Sequence, residues 1–328
     1  MTGLLALHLV VGLIIVAGGR RLGSWAMLAA AVPPAATLAW LGVRLPRVVD
    51  GDVAQERAQW IGSLGLGLDL RLDGFAALML LLVSGIGLLV VAYAARYFSA
   101  PDDEPQRLMG VLTLFAGAMV GLVLADNVLV LYGFWALTSI TSFLLIGNRH
   151  EQAKARAAAL QALLVTGLGG LAMLAGFIVL GQAAGTYRLS ALLADPPSGG
   201  VVPAALVLVL LGAFTKSAQY PFHGWLAAAM VAPTPVSTYL HSATMVKAGA
   251  YLVARLAPVF APTVALWRPL VVTVGAVTMV AAGLRALRQT DLELLSPTWV
   301  APARRRRWRR GAAMSSDRGA AALGESLT

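Results

Sequence analysis

A chain of 328 residues that is 59% hydrophobic and only 12% charged, with a mean hydropathy of +0.78, carries more apolar surface than a soluble globule can hide and belongs in a bilayer. Cysteine is absent, which excludes disulfides, zinc–thiolate and iron–sulfur clusters and a thiol nucleophile, and metal redox chemistry is not expected of this chain. No cofactor, metal site or enzyme activity of its own is expected. The net charge of +10 looks like a nucleic-acid signal, but six arginines lie in one short run, Arg304 to Arg307 with Arg309 and Arg310, and no nucleic-acid partner is expected.

The hydrocarbon core of a membrane takes about 20 apolar residues per helix. Runs of that kind cover 2–19, 22–43, 74–95, 108–125, 127–148, 157–187, 196–215, 235–257 and 269–284, which predicts nine spans and an all-α, polytopic helix bundle. The first run lacks a basic leader and reads as an uncleaved span. Between the second and third runs, residues 44–73 form a charged loop long enough for a small hairpin outside the lipid. Alternating the spans from an outside N-terminus puts the basic loop Arg149 to Arg156 in the cytoplasm and 44–73 outside. Without the arginine run, the basic residues divide only nine against seven. Gly117 and Gly121 in the fourth run, and the patch Gly167 to Gly170 in the sixth, predict close helix packing.

Two lysines fit in no loop. Lys247 falls inside a helix expected over Pro235 to Ala257, roughly 15 to 18 Å from either end at 1.5 Å per residue. A charge at that depth is costly and usually faces a bundle interior or a watery cavity. Lys216 is followed five residues later by Pro221, which has no N–H and whose ring opposes the Ser217 carbonyl, so the helix should break beside the lysine. Freed carbonyls with Thr215, Ser217 and Gln219 would then surround a proton or cation site. His241 shares a polar stripe with Thr238 and Ser242 and should point inward as a relay or a hydrogen-bonded packing residue; His223 follows the break. His8 and His150 read as interfacial.

Three strings carry a family resemblance: Leu131 to Gly147 (LYGFWALTSITSFLLIG), Ala213 to His223 (AFTKSAQYPFH) and Ala232 to Gly249 (APTPVSTYLHSATMVKAG). They resemble the antiporter-like subunits shared by Mrp antiporters and respiratory complex I, and the Leu-Thr-Ser string with Val246-Lys247 is more like the large Mrp subunit, designated MrpA. The likeness runs from the first span to Leu295. It implies inverted five-helix repeats, the first made by spans 4 to 8 with a broken seventh helix. It also implies that Lys216 is the central lysine of the first half-channel, with Lys247 and His241 continuing a polar axis. Partners follow from it: sister subunits of the complex, protons, sodium or another monovalent cation, and membrane lipid, in a bacterial-type cell membrane.

Departures from that pattern matter as much. The family usually has a glutamate where this chain has Ala136, and proline where it has Ala227. Between Asp126 and Asp291 the only acidic residues are Glu151 and Asp195, both in expected loops, so no carboxylate remains for Lys216 inside the membrane. After Leu295 the chain turns to Pro297, the arginine run and an Ala/Gly/Ser-rich end, where relatives continue into a second repeat; a truncation is expected. The domain reading is therefore 1–106 with three spans, 107–260 as the first repeat, 261–295 as the start of a second and 296–328 as a basic tail. The functional expectation is a membrane component of a sodium/proton antiporter, inactive through Ala136 and truncation. A non-transporting remnant or scaffold is one alternative. The other is a proton-pumping membrane component of an NADH–quinone oxidoreductase-like complex.

Overall fold

The computed structural model describes residues 1–23, 25–61, 66–98 and 105–287. Helix α1 spans Thr2–Gly18 and α2 spans Trp25–Val49. An antiparallel hairpin follows, β1 (Ala54–Ile61) and β2 (Leu66–Leu72), paired from Ala54↔Leu72 to Ile61↔Leu66. The charged loop thus holds the expected hairpin, although α2 carries Arg44 and Arg47 on its own last turns. Then come α3 (Gly74–Tyr97), α4 (Pro105–Leu124), α5 (Val128–Ile146) and the long α6 (Ala153–Ala184). Side-chain caps set two of these starts. Asp73 accepts from the Ala76 N–H, and Asn127 accepts from those of Leu129 and Val130, which satisfies donors a helix start leaves free.

Helix α4 is apolar all round and almost wholly buried, from Leu108 to Leu124, which makes it the centre of the bundle. Helix α1 packs along α4 and α2 against α3, while α5 lies between α4 and α6. The glycine pair of α4 splits between two neighbours. Gly117 faces His8 of α1, whereas Gly121 faces the Phe134 ring of α5. His8 is accordingly 1% exposed and not interfacial: with no side chain at Gly117, the imidazole slides between the helices. Its Nδ1 lies 2.8 Å from the Leu4 carbonyl.

The short α7 (Leu189–Ala194) precedes α8 (Val202–Lys216), α9 (Gly224–Ala229) and α10 (Thr234–Thr238). The single helix expected over 235–257 is three pieces. After α10 a π-helical turn covers Tyr239–Thr244, and α11 runs from Met245 to Thr263. Within the π turn the Thr244 hydroxyl donates to the Tyr239 carbonyl at 2.6 Å, and the Tyr239 hydroxyl donates across to Val83 of α3. Helix α12 (Trp267–Ala286) closes the described chain and touches α11 only lightly. Six described helices are long and apolar enough to cross a membrane: α2, α3, α4, α5, α6 and α12; α1 and α8 are shorter apolar helices. Residues 288–295 and the basic tail 296–328 lie outside the described residues.

An ionic layer gathers at one end of the bundle. Arg255 of α11 donates to Asp73 at 2.6 Å, with Arg71 of β2 3.3 Å from the same carboxylate. Asp126 accepts from the Ser190 N–H and hydroxyl at 2.9 and 2.7 Å, and Arg188 stands 3.8 Å from it and 3.9 Å from Asp69. The hairpin is thereby tied to the starts of α3, α5 and α7 and to the middle of α11.

Candidate functional site

Helix α8 places Lys216 at its last residue, with 0% exposure. Glycines bring its neighbours close. A Cβ at Gly169 of α6 would run into the Thr215 hydroxyl, and one at Gly249 of α11 would run into Ser217 and the Ala213 carbonyl. The helix stops where expected. Ser217 caps it, Ala218 takes a left-handed φ of 51°, and α9 resumes only at Gly224. Trp225 of α9, fully buried, donates its indole N–H to the freed Thr215 carbonyl at 2.9 Å.

An ammonium has three donors and no acceptor, and Lys216 uses all three on one turn of α5. Its Nζ lies 2.7 Å from the Thr138 hydroxyl, 2.7 Å from the Ser139 hydroxyl and 3.1 Å from the Trp135 carbonyl. The charge also sits 5.0 Å from the centre of the Trp135 ring. Among the described residues it has no carboxylate partner. Ala136 occupies the same turn, half-buried, beside the tryptophan whose carbonyl holds the lysine.

The surroundings of Lys216 differ from the sequence expectation. Thr215 donates back to Gly212, Ser217 to the Val246 carbonyl of α11, and Gln219 lies near the Ser217 carbonyl, so none of the three is a partner of the lysine. Successive helical side chains diverge by about 100°, and the neighbours in sequence point away. The true partners were visible only as a run of hydroxyls in the Leu-Thr-Ser string. From them a hydroxyl chain continues: Thr166 of α6 donates to Ser139 at 3.3 Å.

His241 lies in the π turn, 5% exposed, with both ring nitrogens lacking a partner among the described residues. Its ring is 6.2 Å from that of Trp225, so one indole touches both the end of the lysine helix and the histidine. Thr238 is half-buried on α10, and the Ser242 side chain lies outside the described residues. His223 is not drawn in. It stacks on Tyr220, ring centres 5.5 Å apart, on the loop past the break. Pro221 is exposed on that loop.

Depth along the expected helix predicts that Lys247 faces protein or water inside the bundle, and the chain instead leaves it exposed on α11. The buried face of that helix runs from Met245, Ala248 and Gly249 against α8 to Arg255 of the ionic layer and on to Phe260, while Lys247 shares an exposed face with Ala250 and Ala254. Lys216 and Lys247 are therefore not in one enclosure within this chain. His150 lies in the exposed loop before α6, as expected.

Residues 125–295 match the family described as NADH:quinone oxidoreductase/Mrp antiporter, TM, and residues 59–120 match NADH-Ubiquinone oxidoreductase (complex I), chain 5 N-terminus. A protein of Alkalihalophilus pseudofirmus, named as the first-lettered component of a Na(+)/H(+) antiporter, is 46% identical over 246 residues, 74% of this chain and 30% of that one. A Rhizobium meliloti (strain 1021) protein, named as a component of a probable K(+)/H(+) antiporter, is 50% identical over 254 residues, 76% of this chain and 25% of its own. Among solved structures, the Mrp complex from Dietzia sp. DQ12-45-1b matches with a TM-score of 0.80 at 36% identity, over 90% of this chain and 32% of that one. Respiratory complex I from Thermus thermophilus shares the fold, with a TM-score of 0.71 at 22% identity, over 89% of this chain and 60% of that one. The chain spans about a quarter to a third of the length of the two curated relatives. With more than half its length matched by one family profile and relatives at up to 50% identity, this chain belongs to the NADH:quinone oxidoreductase/Mrp antiporter family, on the side of the MrpA-type proteins.

Proposed function

We propose that this chain forms the first proton-handling unit of a multisubunit monovalent cation/proton antiporter in a bacterial-type cell membrane, and that Lys216 is the group that loads and releases the proton. The observation that carries this reading is the enclosure of Lys216 by one carbonyl and two hydroxyls, without a carboxylate among the described residues. A carbonyl only accepts, but a hydroxyl accepts from an ammonium and, after rotation, donates to an amine lone pair. Thr138 and Ser139 thus serve both protonation states without a buried polar atom being stranded. Thr166 extends the hydroxyl chain toward α6, and Trp225 connects the end of α8 with His241. Residues 107–260 act as one repeat in this reading, with the π turn as the pliable element beside the histidine. Sister subunits, protons and a monovalent cation are the partners. The relatives are named for sodium in one case and potassium in the other, so cation choice is left to the other parts of the complex.

The missing carboxylate at Ala136 favours a second reading, a scaffold that packs with sister subunits without moving ions. Proton flux separates the two. Everted vesicles of an antiporter-deficient host, carrying this chain with its sister subunits, are energised and then given sodium or potassium while an acidity-sensitive dye is followed. The transport reading expects cation-induced proton exit that falls at least tenfold with Lys216→Leu and rises with Ala136→Glu. No response in any of the three preparations, with the complex assembled, leaves the scaffold.

A further inference from the structure

At the end of the bundle opposite the ionic layer, α4, α5 and α6 line a half-open cavity of about 360 Å³, within the size range of small-molecule sites. Its polar rim joins the neutral Asn148 to three basic residues, Arg107 from the first turn of α4, Arg156 from the first turn of α6 and His150 from the loop between α5 and α6. Arg156 is held in place by the loop, since its Nη1 donates to the carbonyls of His150 and Glu151 at 2.6 and 3.1 Å. That leaves the other edge of its guanidinium free of hydrogen bonds among the described residues. Arg107 has no carboxylate partner among them either.

Below the rim the walls are apolar, and they continue outward. Leu144 and Leu160 line the cavity yet are 42% and 50% exposed. From Leu144 an exposed row descends α5 through Ile140 and Leu137, and from Leu160 another descends α6 through Leu164 and Leu168. The two helices pack side by side, so the rows flank one seam on the outer surface of the bundle. A basic mouth that opens into a leucine-lined seam suits an amphiphile with an anionic head. A free phosphate would use the mouth and leave the seam bare.

We propose that this cavity is a binding site for an anionic phospholipid, with the phosphodiester between Arg107 and Arg156 and an acyl chain along the seam between α5 and α6. Arginine suits phosphate through paired N–H donors, and basic pockets between membrane helices take such headgroups. The acids that could compete are Glu151 in the same loop and Asp102, Asp103 and Glu104 just before α4, the last three outside the described residues.

The test uses the purified full chain in detergent micelles with equal amounts of palmitoyl-oleoyl phosphatidylglycerol and phosphatidylcholine, and retained lipid is read by native mass spectrometry. Wild type is expected to prefer phosphatidylglycerol by about 30-fold, on a scale of about 1 kcal/mol per basic residue and 1.4 kcal/mol per tenfold. Arg107→Gln with Arg156→Gln should bring the ratio near unity, whereas Arg107→Lys with Arg156→Lys should keep most of it. Arg149→Gln with Lys154→Gln removes equal charge from the same end of the bundle outside the cavity and should leave the preference intact. An equal loss in that control pair would mean diffuse surface charge and overturn the site, as would no preference in wild type. Displacement of the lipid by millimolar glycerol 1-phosphate would also overturn it, in favour of a free phosphate. Circular dichroism of each variant separates loss of lipid from loss of fold.

Discussion

Beside Lys216 the chemistry turns on single oxygen atoms. Replacing Ser139 by alanine strands one ammonium N–H in a site with 0% exposure, which costs on the order of 1–3 kcal/mol. Ser139→Ala should therefore lower the thermal midpoint in detergent, and Ser139→Thr, which keeps the hydroxyl, should recover most of the loss. If the two variants melt alike, the hydroxyl is not a partner that matters. The same comparison in the vesicle assay tests the role in transport, because only the alanine variant removes the link from Lys216 through Ser139 to Thr166.

Among the elements, the crossing of α6 and α8 decides whether the lysine reaches α5. Gly169 leaves room for Thr215, and Gly212 presses on Met173, so the two helices approach almost backbone to backbone. Gly169→Ala should destabilise the protein by about 1–3 kcal/mol through overpacking. Adding Thr215→Ala removes the hydroxyl and the γ-methyl that the new Cβ would strike and keeps only the residue 215 Cβ beside it, so the double variant should recover part of the loss and be more stable than Gly169→Ala alone. Simple additivity in that double-mutant cycle would contradict the contact. The π turn is a further element that no periodicity announces: its hydrogen bonds skip a residue, and the register of α11 shifts relative to a continuous helix.

For the whole molecule, the ionic layer ties the hairpin to three helix starts and to the middle of α11. Burial alone would raise the Asp73 carboxyl, but the Ala76 N–H and the Arg255 and Arg71 guanidinium groups outweigh it and hold the group below its ordinary value. A carboxylate lowered in this way contributes stability fully present above its unfolded value, about 3.9, and lost as pH falls through the folded one. Melting midpoints should fall on acidification below about pH 4, and Asp73→Asn should be less stable at neutral pH with a flatter profile in that window. An unchanged profile in the variant would remove Asp73 from the account. Sidedness has its own test. Gln55 on the hairpin and Gln152 before α6 are both exposed, and the chain has no other cysteine to react. Single cysteines there, treated with an impermeant maleimide on intact cells, should label at 55 and not at 152. The reverse pattern would invert the orientation.

Hydropathy by itself determined the membrane class, the order of the helices and the loop that became a hairpin, and Pro221 the break after Lys216, because each depends on composition or on local backbone chemistry. The hydroxyl run Thr138-Ser139 and the absence of acids around Lys216 were also readable along the chain. Only the tertiary structure decided which atoms meet the lysine, since Trp135, Thr138 and Ser139 lie 77 to 81 residues away. It also buried His8 against a glycine, divided the helix expected over 235–257 around a π turn and left Lys247 on an uncovered face. Those outcomes depend on how helices cross and which face has a neighbour, and apolar periodicity is nearly silent on both when lipid and protein interior are equally oily.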